Sequence, residues 1–510
     1  MIMKIFSLEN DIIFTEEYIN VLQIQDKKLF TNVINSLNDN INNIEDTKER
    51  IIILDNDTEI KIEKEVLMFI YVFNIDFNHP IHVHFIGIGG ISMSGLARIL
   101  LDRHFTVSGS DAHESELTDE LAKDGCLISY PQSADNITGD IDLVVYTAAI
   151  HPDNKELKAA IAAGIPTMTR AELLGQIMKN YHTAVNVAGT HGKTTTTSMI
   201  TEILLAANAD PTISVGGILH SIGGNIRVGS SDIFVTEACE YTNSFLSFNP
   251  TLNIILNVKA DHLDFFKDLD DIRHSFKLFT EKLPSDGTLV INTDIDNYEY
   301  FYQDTDCEVI TFGSDPARSM YSAADINHDE YGRCSYTLLI NNKPSGTIKL
   351  SVPGVHNVYN SLSAIAACIK LGISMEAILK GLVNFTGTDR RFQKKGVFNG
   401  ITVVDDYAHH PDEITATLNS AKMYPHNRIW CVFQPHTYSR TKALMPDFAK
   451  ALALADNVVL AKIYPARETD NLGISSANLC SLIKAEGKEC YYYESFEEIE
   501  AFLKKNCING

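Results

Sequence analysis

Ten consecutive residues constrain this chain more than any others: Ala188-Gly189-Thr190-His191-Gly192-Lys193-Thr194-Thr195-Thr196-Thr197, set between a β-branched run and an amphipathic one. A strand that turns through glycines into a helix gathers backbone N–H groups and the positive end of the helix dipole at one point. Lys193 adds a charge there, and Thr194 a hydroxyl of the kind that ligates Mg2+. Such a loop holds the phosphates of a mononucleotide, and a parallel α/β sheet is what presents it. The general spacing G-x-x-x-x-G-K-[ST] would require glycine at 187, where this chain has Val187.

At 510 residues the chain is long enough for about three domains. From residue 81 onward short β-branched runs alternate with amphipathic stretches, the pattern of an α/β protein. Strands are expected at 81–87, 104–109, 141–147, 182–188, 232–238, 252–258, 400–404, 427–433 and 457–461. Helices are expected at 91–103, 153–163, 194–207, 357–371, 411–422 and 475–486. Breaks near 180 and 394 divide three cores. Residues 330–352 read as antiparallel, turning at Asn341-Asn342-Lys343-Pro344.

The first 80 residues are a different text, with no Gly, Ala or Cys but 16 Ile and 11 Asn. Their apolar clusters, Ile12 to Phe14, Tyr18 to Ile24 and Ile51 to Leu54, suggest short strands and one helix: an appended α+β segment ending near residue 78. No apolar run longer than Val66 to Phe73 occurs and the N-terminus lacks a signal-peptide order, so a cytoplasmic protein without membrane insertion is expected. Nine dispersed cysteines read as reduced thiols. A net charge of −24 argues against a broad nucleic-acid surface and leaves phosphate chemistry local.

A second glycine cluster, Gly87-Ile88-Gly89-Gly90-Ile91-Ser92, also joins a strand to a helix, and Asp111 ends the next strand. Together they indicate a nucleotide diphosphate, with NAD as competitor; against NAD, the third glycine of G-x-G-x-x-G falls on Ser92. Glu237-Ala238-Cys239-Glu240 and Asp261-His262 follow strands whose ends meet near the phosphate loop, where they can approach Mg2+. His356 and Asn357 open a helix, which makes a capping role their alternative. Asp405-Asp406-Tyr407-Ala408-His409-His410-Pro411 packs two carboxylates, a phenol and two imidazoles ahead of a helix N1 proline. Adjacent histidines without matching ligand spacing argue against zinc there.

Read in order, GTHGKTTTT, EACEY, ADHLD, GVHNVYN, TDRRFQ, DDYAHHP and QPHTYSRT resemble the Mur ligase family over about residues 74–510. With GIGGISMSG the set resembles the branch that joins L-alanine to UDP-N-acetylmuramate through an acyl phosphate, using ATP and Mg2+. The resemblance implies a three-domain α/β architecture: a Rossmann-like UDP-substrate domain at 79–180, a central phosphate-loop ATPase domain at 181–393, and a Rossmann-like amino-acid domain at 394–510. It assigns ATP to Gly189, Thr190, His191, Gly192, Lys193, Thr194, Thr195, His356, Asn357, Arg391 and Asp405, and metal to Thr194, Glu240 and His262. It assigns the UDP group to Gly89, Gly90, Ile91, Ser92 and Asp111, and alanine to Tyr407, His409, His436 and Arg440. Lys193, His409 and Arg440 would carry the chemistry.

Family members often have Arg after the His of Q-P-H, where this chain has Thr437. The family pattern also continues past residue 510 into a final strand. The opening MKIFSLENDIIFTEEYINVLQIQDKKLF resembles the start of the type II-A CRISPR-associated adaptation protein, a ring-forming binder of DNA ends. Competing readings are a muropeptide-recycling ligase of the same family and a DNA-end-binding module carrying a ligase remnant; the missing basic stripe speaks against the second. A monomer or a weak dimer is expected.

Overall fold

The computed structural model describes residues 74–507 except 148, 264 and 467. Before them it describes only the backbone of four short strands, Val21–Ile24, Glu49–Ile53, Glu59–Glu63 and Met68–Tyr71. Two of these form an antiparallel hairpin and two pair in parallel. The helix expected in that segment, and its resemblance to the adaptation protein, lie outside the described residues.

The first sheet has five parallel strands in the order Leu127–Ser129, Thr106–Ser110, His82–Ile86, Leu143–Tyr146, Thr167–Thr169. His82–Ile86 is buried along its whole length, as a strand covered by helices on both faces must be. Later strands flank it on both sides, which opens a crevice at its C-terminal end. There the chain turns at Gly87, φ +84°, into the helix Ile91–Asp102.

The second sheet has ten strands. Thr183–Ala188 lies between Ile233–Ala238 and Leu252–Ile255 in its parallel middle, with Thr288–Asn292 and Glu308–Phe312 continuing that order. One end closes with the antiparallel pair Thr212–Leu219 and Gly224–Arg227, the other with the meander Tyr321–His328, Arg333–Ile340, Lys343–Pro353. The meander turns at Asn341 and Asn342, both at positive φ, as a two-residue hairpin turn requires. Lys343 and Pro344, expected in the turn, already belong to the next strand.

A third sheet holds three parallel strands, Trp430–Phe433, Asn457–Leu460 and Glu489–Tyr492, with a separate hairpin Gln393–Phe398 and Ile401–Asp405 ahead of it. Each strand and helix read from the pattern after residue 80 is present within a few residues. Among the elements the pattern misses are Leu127–Ser129 and Thr167–Thr169, too short for a period, Thr212–Leu219, which Gly216 and Gly217 interrupt, the strands Thr288–Asn292 and Glu308–Phe312, and helices such as Leu269–Thr280 and Phe496–Asn506.

One apolar core runs from Ile75 through the helices of the first sheet into Phe234, Phe245 and Phe276 of the second unit. Tyr181 packs on Phe234 across that boundary with ring centroids 5.1 Å apart. The approach is close because two glycines leave room. A Cβ on Gly95 would fall 1.7 Å from Ile226 Cδ1, and one on Gly175 1.9 Å from the Ser247 carbonyl oxygen. The residues after 393 have cores of their own, and among the described residues no core cluster joins them to the rest. No described helix is long and apolar enough to cross a membrane.

Candidate active site

Three neighbouring strands deliver the phosphate loop and its partners. Val187, at the position of the missing first glycine, is fully buried inside strand Thr183–Ala188, so the loop starts only at Gly189. Gly189 and Gly192 both take positive φ, and a Cβ on Gly192 would meet Asn360 Oδ1 at 2.6 Å. Asn257, past the end of Leu252–Ile255, clamps the loop: its Oδ1 accepts from the His191 N–H and its Nδ2 donates to the His191 carbonyl, both at 2.9 Å.

Lys193 Nζ donates to the Thr190 carbonyl at 3.2 Å and to Glu240 Oε2 at 3.0 Å. Burial opposes its charge, but Glu240 and, less strongly, Cys239 and Glu237 hold its pKa above the ordinary lysine value. Thr194 Oγ1 donates to Glu237 Oε2 at 3.1 Å; burial raises the pKa of that carboxyl. Glu240 Oε1 is buried without a hydrogen-bond partner.

Beside the loop lies a cavity of about 330 Å³. Of the residues assigned to ATP, His191, Gly192, Thr194, Thr195, His356, Asn357 and Arg391 line it. Gly189, Thr190 and Lys193 do not stand in its wall. Neither does Asp405, which lies 3.7 Å from Lys395; its neighbour Asp406 faces the cavity instead. Asp406 accepts from the Phe392 and Ala408 N–H groups and from Thr417 Oγ1. His356 opens onto the cavity, yet the protein packed around its ring pushes its pKa down to about 4. Asn357 does not cap its helix by side chain: its Nδ2 donates to the Pro353 carbonyl at 2.7 Å.

Glu413, which sequence reasoning missed, joins the third unit to the loop. Its Oε1 meets His191 Nδ1 at 3.2 Å and its Oε2 accepts from the His409 N–H at 3.0 Å, with Arg391 Nη1 3.9 Å away. Burial disfavours its charge, but the His191 hydrogen bond and the charges of His409 and Arg391 outweigh that and hold its pKa well below the usual carboxylate range. An acidic residue in a first helical turn reads in sequence as dipole compensation, which hid it.

His410 caps the same helix, its Nδ1 accepting from the Asp412 N–H at 3.2 Å. His191, His410 and Asp412 bring donor atoms within 4.8 Å of one another. The cap, however, leaves the proton of a neutral His410 ring on Nε2, where a metal would need a lone pair.

A second cavity of about 420 Å³ is lined by Tyr241, Asp261, His262, His436, Thr437, Ser439, Arg440 and Glu468, among others. Arg440 Nη2 donates to Asp261 Oδ1 at 2.9 Å across the boundary between second and third units, with both side chains largely buried. His262 stacks on Tyr241 at 4.5 Å. Tyr407 and His409 do not line this cavity; the His409 ring lies 6.3 Å from that of His436, and Tyr407 sits under the Arg390 guanidinium. Thr437 takes φ +64°, a strained value for a β-branched residue, at the position where the family often has arginine. His410 packs on His191, a wall residue of the first cavity, with ring centroids 4.8 Å apart, and lies within the field of Asp261, a wall residue of the second.

In the first unit the Gly89 N–H donates to Asp111 Oδ2 at 2.8 Å, so Asp111 braces the glycine loop. Ile91 is 66% exposed there, and Ser92 Oγ accepts from Arg170 Nη1 at 3.1 Å.

Burial lowers the pKa of His262, His410 and His436, so the folded chain keeps them neutral. The unfolded chain therefore takes up their protons first as pH falls. Their contribution is complete above about pH 6.5 and is lost below it, by up to about 1.4 kcal/mol per group per pH unit. Thermal unfolding at pH 8 and at pH 5.5 checks this, with the lower midpoint expected at pH 5.5.

Three family models match the chain: "Mur ligase family, catalytic domain" over residues 82–182, "Mur ligase middle domain" over 187–368 and "Mur ligase, glutamate ligase domain" over 390–507. UDP-N-acetylmuramate–L-alanine ligases of Lachnospira eligens and Agathobacter rectalis are 76% and 58% identical over 439 residues, 86% of this chain and 96% and 95% of theirs. Among solved structures, the UDP-N-acetylmuramate-alanine ligase of Thermotoga maritima is similar at TM-score 0.68 and 33% identity, covering 82% of this chain and 92% of that one. A murein peptide ligase of Psychrobacter arcticus follows at TM-score 0.62 and 25% identity, covering 84% and 94%.

Proposed function

Since this chain belongs to the Mur ligase family, we propose that it joins L-alanine to the lactyl carboxylate of UDP-N-acetylmuramate with cleavage of ATP, a step of peptidoglycan synthesis. The observation that carries this reading is the 76% identity, over 86% of the chain, to a ligase named for that reaction. Its parts are the three units proposed at 79–180, 181–393 and 394–510, acting in the cytoplasm as a monomer or weak dimer.

A carboxylate is a poor acyl donor. The lactyl carboxylate oxygen first attacks the γ-phosphorus of ATP, giving an acyl phosphate and ADP; the alanine amine then attacks the acyl carbon and inorganic phosphate leaves. The loop N–H groups from Gly192 to Thr195, those of Thr190 and His191 being taken by Asn257, and the Lys193 ammonium hold the β- and γ-phosphates, which requires Lys193 to give up its bonds to the Gly189 and Thr190 carbonyls. Arg391, at the cavity wall, faces the charge that moves in transfer. His356, Asn357 and Asp406 surround the space left for adenosine.

In the second cavity Arg440 receives the alanine carboxylate while Asp261 holds its other side. The ammonium of alanine must lose a proton before it can attack, and His436, kept neutral by burial and by Arg440, is a wall group suited to take it. Thr194, Glu240 and His262 would hold Mg2+, and the orphaned Glu240 Oε1 is an oxygen such an ion would satisfy. When bound, the ion would offset the charge of the phosphates.

The test is ADP release with UDP-N-acetylmuramate and ATP, comparing L-Ala, Gly, L-Ser and a tripeptide. Release with L-Ala well above the others is expected. A preference for the tripeptide would assign the chain to recycling, and release with none of them would end the ligase reading.

A further inference from the structure

Arg170 opens the helix Arg170–Met178 where the first unit meets the second. Its Nη1 donates to Ser92 Oγ at 3.1 Å, at the start of the helix that follows the glycine loop. Among the described residues it forms no ion pair and no other hydrogen bond. The acid nearest in sequence, Glu172, is occupied in its own capping box, where its Oε2 accepts from the Thr169 N–H at 2.7 Å and from Thr169 Oγ1 at 2.8 Å. Burial lowers the Arg170 pKa, and no carboxylate opposes that shift.

A largely desolvated guanidinium without a counter-ion is expensive to keep unless an anion completes it. Its surroundings state which anion. Beyond the Gly89 and Gly90 N–H groups, which Asp111 Oδ2 and the Gly87 carbonyl already take, the helix Ile91–Asp102 starts at the mouth of the crevice without a side-chain cap, and Ser92 supplies a hydroxyl. Both favour phosphate oxygens. A guanidinium is the side chain whose fork matches two of them at once.

We propose that Arg170 clamps the diphosphate of the UDP substrate, forking over phosphate oxygens that the helix start holds from the other side. The assignment rests on the reading of the substrate as a UDP-sugar.

The experiment measures binding of UDP and of uridine to the full chain as wild type, Arg170→Met and Arg170→Lys, alongside ligation kinetics. Arg170→Met is expected to weaken UDP about tenfold or more and to leave uridine unchanged, with Arg170→Lys between. The KM for UDP-N-acetylmuramate should rise in proportion while those for ATP and L-alanine stay constant. Equal UDP affinity in wild type and Arg170→Met would overturn the assignment, as would an equal loss for uridine, the mark of a merely structural role. Should Arg170→Met fail to fold, unchanged UDP affinity in Arg170→Lys would overturn it in the same way. A selective UDP loss in a chain that releases no ADP with any acceptor would sink the ligase reading and leave the clamp standing.

Discussion

Lys193→Ala is expected to lower kcat for ADP release by about a thousandfold at saturating ATP, the scale for removing a charge aimed at the transition state. The same substitution strips from Glu240 Oε2 its one hydrogen-bond partner among the described residues, in a carboxylate only 2% exposed. Leaving a buried charge uncompensated costs roughly 3–5 kcal/mol, so the melting temperature should drop as well. The two effects separate in the double variant Lys193→Met with Glu240→Gln, which removes both charges. Recovery of the melting temperature without recovery of kcat is the expected pair of results. Near-normal turnover in folded Lys193→Ala would take Lys193 out of the chemistry.

The second large effect concerns Arg440. Arg440→Ala should raise the KM for L-alanine about tenfold to a hundredfold while the KM for ATP moves less than about twofold, because a charged hydrogen bond is worth about 1.5–3 kcal/mol. Its Asp261 partner complicates the reading, since a lone Asp261 would be left 6% exposed and unpaired. Asp261→Asn supplies the control. It keeps the shape of the pair and frees Arg440 of its charge partner, so it should perturb alanine binding far less than Arg440→Ala. An ATP-selective KM rise in Arg440→Ala would move the residue to the nucleotide.

What the sequence displayed and what it concealed divide along contact range. The phosphate loop is legible because strand, glycines, lysine and helix are consecutive, and the parallel architecture follows from the alternation of periods. Glu413 is not legible, since its role exists only through His191, 222 positions away. Asp261 was visible as a polar residue at a strand end, but its hold on Arg440 spans 179 positions. Asp405 and Asp406 illustrate a subtler limit: one step along a strand end turns a side chain to the opposite face, and only the packed structure shows that Asp406 faces the cavity. Arg170 carries no motif at all. Its distinction is that no carboxylate among the described residues pairs with it, which no local pattern records.

The two boundaries of the catalytic unit differ in kind. A shared apolar core welds the first sheet to the second, whereas the third meets the loop through Glu413, Arg391 and the Asp261–Arg440 pair. Parting that boundary rehydrates both members of each pair together and leaves no charge buried alone, whereas parting the first seam puts apolar surface into water. Release of ADP and of the finished UDP product is therefore expected across the third unit's boundary, with the first left closed. Escape of spent nucleotide need not disturb the platform that holds the sugar, and the chain can clear itself for another cycle without loosening its own foundations.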